Sequence, residues 1–141
     1  LEIDSNPPGG GEFESAFIGF PAPSSVTVET LPTLFAGKSH ALLCRTYEKG
    51  RDWYDFLWYL GNKTPVNWRR LSAALDQTGP WKGQGLSVDR AWYIDELKRR
   101  IGEMDWKRAK DDVAPFISPQ EQGLLSKWSA DLFLSALTRL P

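Results

Sequence analysis

Residues 31–60 read LPTLFAGKSHALLCRTYEKGRDWYDFLWYL, with Thr30 in front. The stretch divides into two helices joined by a short basic turn. Thr30 is a good N-cap, and Pro32 falls in the first turn, where its missing N–H costs nothing. The first helix is expected to run to about Tyr47, with Leu34, Phe35, Ala41, Leu42 and Cys44 as its apolar surface. Glu48-Lys49-Gly50-Arg51 is the turn. A second helix starts near Asp52, a plausible cap, and runs to about Leu60, where Gly61-Asn62 ends it. Trp53, Phe56, Leu57 and Leu60 form its apolar face, while Asp52, Asp55 and Tyr59 share the other at i, i+3 and i+7. Lys38 and Arg45 project from about the same side of the first helix. Charges on otherwise apolar helices cost stability unless something uses them, so the functional question concentrates here.

Towards the N-terminus the chain turns β-rich. Leu1-Glu2-Ile3-Asp4 alternates apolar and acidic residues, as a strand would. The SNPPGGG run at 5–11 breaks any regular structure. Residues 13–20 and 25–30 are strand-like, separated by Pro21-Ala22-Pro23-Ser24. Three strands of a small, largely antiparallel sheet are expected. Region 1–30 is too small to hold its own core, so it must pack on the first helices.

Towards the C-terminus the signals are helical. Asn67 caps a helix from Trp68 to about Gln77, stopped by Thr78-Gly79-Pro80, and PWKGQGL at 80–86 is a glycine-rich loop. Ser87 is expected to cap a long helix to about Glu103, with Val88, Ala91, Trp92, Ile94, Leu97 and Ile101 inward. Asp105 caps a short helix to Val113, and Pro115 stops it, leaving Phe116 and Ile117 to plug the core. Ser118-Pro119-Gln120-Glu121 is a capping box, from which a last helix runs to about Leu140. Leu124, Leu125, Trp128, Leu132, Leu134 and Leu137 are available to pack it. The fold class is therefore α+β: a β-rich region, 1–30, packed as one unit on a helical region, 31–141.

Composition narrows the function. Seven tryptophans in 141 residues imply a core with large aromatic anchors. The net charge of −1 gives no global field to recruit nucleic acid, so an anionic ligand must be held by a local cluster. With Cys44 as the single cysteine, no disulfide forms within the chain, and the reducing cytoplasm is the default compartment. There is no apolar run of about 18 residues, so no membrane span is expected, and no signal peptide is visible in the sequence. The chain begins at Leu1, mid-strand in character, and is expected to be a piece of a longer protein.

Three groups of residues can carry chemistry. Glu2 and Asp4 can hold Mg²⁺ on one strand face, or simply form the solvated face of an edge strand. Lys38 and Arg45 can hold phosphate oxygens, Lys as a point charge and Arg as a fork. They can equally form internal bridges to Asp52 or Asp55 on the next helix; the two readings are compatible. Asp55 draws more interest than Asp52, because capping explains Asp52 without any function. Its partner is Lys38, Arg45 or Arg51. His40, the only histidine, is read as packed or hydrogen-bonded. The loop around Gly83 and Gly85 lacks phosphate-cradle spacing. Lys98-Arg99-Arg100 and Lys107-Arg108-Lys110 are interleaved with Glu96, Glu103, Asp105, Asp111 and Asp112, and are read as a solvated face, with RNA contact as the minority reading.

LEIDSNPP, TLPTLFAGKSHALLCR, KGRDWYDFLWYL and DWKRAKDDVAPF, in this order, resemble the C-terminal part of the AbiEii/AbiGii toxin family. These are nucleotidyltransferase-like proteins related to the DNA polymerase beta superfamily. The resemblance implies a type IV toxin–antitoxin or abortive-infection role, an antitoxin encoded nearby, and transfer of a nucleotidyl group from a Mg²⁺-bound nucleoside triphosphate to an acceptor such as tRNA. By resemblance, Glu2 or Asp4 is a metal-side carboxylate and Lys38 contacts the triphosphate. Arg45 and Arg51 would assist Lys38, and one of Asp52 and Asp55 is needed for activity. The family's glycine-rich turn and following acid pair are absent, so this chain alone is expected not to catalyse transfer. The alternative is a non-catalytic helical module that binds RNA or protein.

Overall fold

The computed structural model describes residues 8–18 and 24–141. Strands β1 (Phe13–Ile18) and β2 (Ser24–Glu29) pair antiparallel, from Phe13 opposite Glu29 to Ile18 opposite Ser24. The helices are α1 (Leu31–Cys44), α2 (Gly50–Gly61), α3 (Trp68–Gln77), α4 (Arg90–Glu103), α5 (Trp106–Val113), α6 (Gln122–Leu125) and α7 (Ala130–Leu137). A 3₁₀ turn, Ala114–Phe116, follows α5. This is the expected α+β class, a small sheet with a predominantly helical body. The strand expected at Leu1–Asp4 lies outside the described residues.

Local signals place α3 and α5 as read. The side chains of Asn67 and Asp105 accept from the backbone N–H of Arg70 and Arg108. Elsewhere tertiary contacts shift the boundaries. Helix α1 stops at Cys44 rather than Tyr47, because Arg45 turns extended. The Arg100 guanidinium donates to the carbonyls of Leu42 and Arg45, satisfying acceptors that a longer helix would have used itself. Helix α2 begins at Gly50, with Lys49 as its cap residue, so Asp52 is not the cap. Asp112 supplies the capping acceptor from another helix, taking the Gly50 N–H at 2.8 Å. Only glycine fits at position 50, since a Cβ there would lie 1.9 Å from the Ala109 carbonyl oxygen.

Asp89, not Ser87, caps α4, accepting from Trp92 N–H. The buried face of α4 is therefore Tyr93, Leu97 and Ile101, with Ala91 exposed. Ile117 enters the core as expected, but Phe116 does not and is 64% exposed. The last helix is interrupted. After the four residues of α6 the chain turns Trp128 into the core, and Ser129, fully extended, starts α7 by accepting from Leu132 N–H. Glu121 does not close a capping box, and its carboxylate accepts from the Tyr54 hydroxyl instead.

An aromatic core lies under α2. Trp106 stacks on Phe133 at 4.2 Å, and Trp53 meets Phe56, Trp106 and Phe133 edge-on at 5.2–5.7 Å. Each such ring stabilises by roughly 1.5–3 kcal/mol on burial. The packing holds α2 against α5 and α7 and thereby fixes where its acidic face points. On the other side, α1 packs on α3 and α4, where buried Ser39 and Tyr93 hydroxyls meet at 2.7 Å. The hairpin is tied to these helices by polar contacts. Thr33 Oγ1 accepts from Glu12 N–H and from Asn67 Nδ2, Asn67 also donates to the Gly10 carbonyl, and buried Arg70 pairs with Glu29 at 3.1 Å.

Candidate functional site

The charged faces of α1 and α2 meet in a line of four side chains. Asp55 Oδ2 lies 2.9 Å from Lys38 Nζ, Lys38 Nζ donates to Asp52 Oδ1 at 2.8 Å, and Asp52 Oδ2 lies 2.7 Å from Arg45 Nε. Lys38 and Arg45 do share one side of α1, and Asp52 and Asp55 share one side of α2. The helices are neighbours because Phe35 of α1 stacks on Tyr59 of α2, with ring centroids 4.6 Å apart. The Arg45–Asp52 contact is a close ion pair whose N–H is not aimed at the oxygen, so neither atom has a well-directed hydrogen bond. Two cations and two carboxylates leave the line formally neutral.

Exposure separates the members. The Asp52 side chain is 2% exposed and both its oxygens face cations, whereas that of Asp55 is 46% exposed. Asp55 is thus the acid open to solvent. The sequence argument preferred it because Asp52 seemed used up in capping; in the structure Asp52 is instead consumed by two cations. Lys38, at 23%, sits between them. An ammonium has three N–H donors, and two carboxylates leave it one. Burial pulls the Lys38 pKa down, but the hydrogen bonds and charges of Asp52 and Asp55 outweigh it and the net shift is upward. Lys38 is therefore a fixed ammonium at neutral pH, able to attract a phosphate oxygen but not to act as a base. Burial pushes the neighbouring Tyr59 phenol up, the Asp55 charge adds to this, and Lys38 opposes it.

Other candidates lie elsewhere. Arg51 is engaged elsewhere, its guanidinium carbon standing 4.5 Å over the ring of exposed Phe116. Glu2 and Asp4 lie outside the described residues. Among the described residues no group of three or more His, Cys, Asp or Glu is placed to hold a metal ion. His40 Nε2 lies 2.9 Å from the Thr78 carbonyl and is hydrogen-bonded as read. Gly83 and Gly85 adopt positive φ in a turn organised by Asp76. On the basic face, Arg99 pairs with Glu96 and Glu103 as a solvated residue would. Its neighbour Arg100 turns inward to end α1 and set the position of Arg45. Nothing in the local pattern distinguishes the two arginines; only the position of α1 does. No described helix is long and apolar enough to cross a membrane.

A family model described as "Nucleotidyl transferase AbiEii toxin, Type IV TA system" matches residues 1–136. No curated protein and no solved structure matches the chain.

Proposed function

Because the chain belongs to the AbiEii nucleotidyl transferase toxin family, we propose that it contributes the triphosphate-binding lysine of a nucleotidyl transfer site, used as a cytoplasmic toxin held in check by an antitoxin. In that reaction an acceptor hydroxyl, such as one of tRNA, attacks the α-phosphorus of a nucleoside triphosphate. The bond to the β-phosphate oxygen breaks and pyrophosphate leaves. Little covalent work falls to the protein, so positioning and charge neutralisation carry the catalysis.

The observation that carries this reading is the Lys38 ammonium, clamped by two carboxylates with one donor left over. Lys38 meets the triphosphate oxygens, Asp52 orients Lys38 from the interior, and Asp55 is the carboxylate placed to reach the reactants. Arg45 supports Asp52 and supplies the second cation. Arg51 enters the site only if it leaves Phe116. A divalent ion such as Mg²⁺ would neutralise triphosphate charge when bound, with Glu2 and Asp4 as its proposed carboxylates. Without a glycine-rich phosphate turn in the sequence, this chain binds the triphosphate and does not turn it over.

Calorimetric titration of the chain with each of the four triphosphates tests the reading. Binding weakened at least tenfold by Lys38→Ala, in a protein that keeps its circular dichroism, supports it. Equal binding by the wild type and the variant reduces the line of charges to a structural bridge. Incorporation of labelled nucleotide into tRNA by this chain with Mg²⁺ would show that the active site lies elsewhere.

A further inference from the structure

A second concave site lies away from the Lys38 line. A crevice of about 360 Å³ opens between Gly9–Gly10 and the outer side of α3, where Trp68, Arg69, Ser72, Ala73, Ser87 and Val88 complete its lining. That volume is within the range of small-molecule sites. Its walls are set rigidly. Gly10, at φ +80°, brings its backbone so close to α3 that a Cβ would lie 2.9 Å from the Arg69 carbonyl carbon. Asn67 donates to the Gly10 carbonyl at 2.9 Å and locks that approach. Trp68 is half-buried, its ring 5.4 Å from that of Tyr93 and tilted 64° to it, so one side of the indole is anchored in the core. Ser72 Oγ accepts from Val88 N–H, which ties the far wall to α3.

The free valences of the crevice are of three kinds. Trp68 offers aromatic surface. Arg69 is exposed and pairs with no carboxylate among the described residues, unlike Arg70, Arg99 and Lys38. The hydroxyl protons of Ser72 and Ser87 have no acceptor among the described residues. A planar ring against indole, an anion on a guanidinium fork and polar ring-edge atoms on hydroxyls together make a nucleotide. An apolar ligand would leave Arg69 and the serines idle, and a bare anion would not use Trp68.

We propose that this crevice binds one unpaired nucleotide of a single-stranded RNA, with the base against Trp68 and its phosphate on Arg69. This goes beyond the triphosphate reading and does not depend on it. A flexible strand reaches a shallow crevice with one base splayed out, and one arginine suits the single charge of a phosphodiester better than the several of a triphosphate.

The test is fluorescence anisotropy of a labelled five-nucleotide single-stranded RNA on the 141-residue chain, with ATP alone as a second probe. Arg69→Glu is expected to weaken RNA binding about tenfold or more by charge reversal. Ala73→Leu fills the crevice from a half-buried position on α3 and, in a protein that keeps its circular dichroism, is expected to do the same. Lys38→Ala should leave RNA binding unchanged, which separates this site from the triphosphate site. RNA binding that is insensitive to both crevice variants overturns the proposal, as does no RNA binding by the wild-type chain. ATP binding lost on Arg69→Glu and kept on Lys38→Ala also overturns it, by making the crevice a mononucleotide site.

Discussion

Replacing Asp52 by Asn removes one charge from the interior of the α1–α2 seam while keeping the side-chain volume. Two cations then lose a carboxylate at 2.8 and 2.7 Å. Breaking a buried pair by removing one partner costs about 3–5 kcal/mol. The lower end applies here, because Lys38 keeps Asp55 at 2.9 Å and the two cations are 23% and 33% exposed, so water can partly resolvate them. The expected loss is about 3 kcal/mol, a large share of the roughly 5–15 kcal/mol typical of a domain. For a chain of this size that lowers the melting temperature by about 10 °C. The assay is urea unfolding at pH 7 followed by tryptophan fluorescence, with an unchanged m-value showing that the midpoint shift reports stability. Asp55→Asn serves as the control, since its carboxylate is 46% exposed and should contribute about 0–1 kcal/mol. If Asp52→Asn costs no more than Asp55→Asn, the reasoning that Asp52 anchors Lys38 from the interior is refuted.

Gly50→Ala should destabilise by about 1–3 kcal/mol, because its Cβ would displace the Ala109 carbonyl and part α2 from α5. Gly37→Ala, exposed in the middle of α1 with open space around it, should instead stabilise by about 0.5–1 kcal/mol; thermal melts of the pair give opposite shifts. Phe133→Ala should cost about 3–5 kcal/mol, since Trp53, Phe56, Trp106 and Trp128 all contact its ring, and near-ultraviolet circular dichroism should weaken with it. Burial pushes the Cys44 thiol up from 9.0 to about 11, against the opposing charge of Arg100. The folded chain therefore holds this proton where the unfolded chain releases it, so the stability it gives is complete below pH 9 and lost as pH rises to about 11. Thiolate absorbance of the native chain should rise near pH 11, and a rise near pH 9 would show Cys44 to be solvated.

Much of the fold was legible because its cues are local. Asn67 and Asp105 cap by bonding N–H groups three residues away, and Gly61-Asn62 closes α2 for reasons internal to the backbone. Pairing of Lys38 with the acids of α2 followed from spacing plus a short turn. The resemblance in the Lys-Arg-Asp segment belongs to this local class too, since it depends on residue identity in sequence, and the match over residues 1–136 bears out the family. Three readings failed for one shared reason. Asp52 looked like a cap, Phe116 like a plug and residues 118–140 like one helix, but each competing arrangement is imposed by a group distant in sequence. Asp112 caps α2, Arg51 stacks on the outward-facing Phe116 ring, and Trp128 packs edge-on against the Trp106–Phe133 stack. Tyr93 and Phe133, both fully buried, were missed because α4 was started from Ser87 rather than Asp89 and because α6 and α7 were read as one helix.

Read alone, then, the sequence determined the α+β class, the composition of the charged seam and the family. These rest on periodicity, capping and residue identity, which act over a few residues. Tertiary structure decided which carboxylate of α2 is buried, which arginine of the Arg99-Arg100 pair turns inward, and where α1 stops. Burial and ion pairing depend on what lies across the gap, and in this chain the groups across the gap come from 14 to 62 residues away. The Lys38 line is the joint product. Spacing put two cations on one helix and two acids on the next, and aromatic packing beneath α2 turned one acid into the core and left the other facing water.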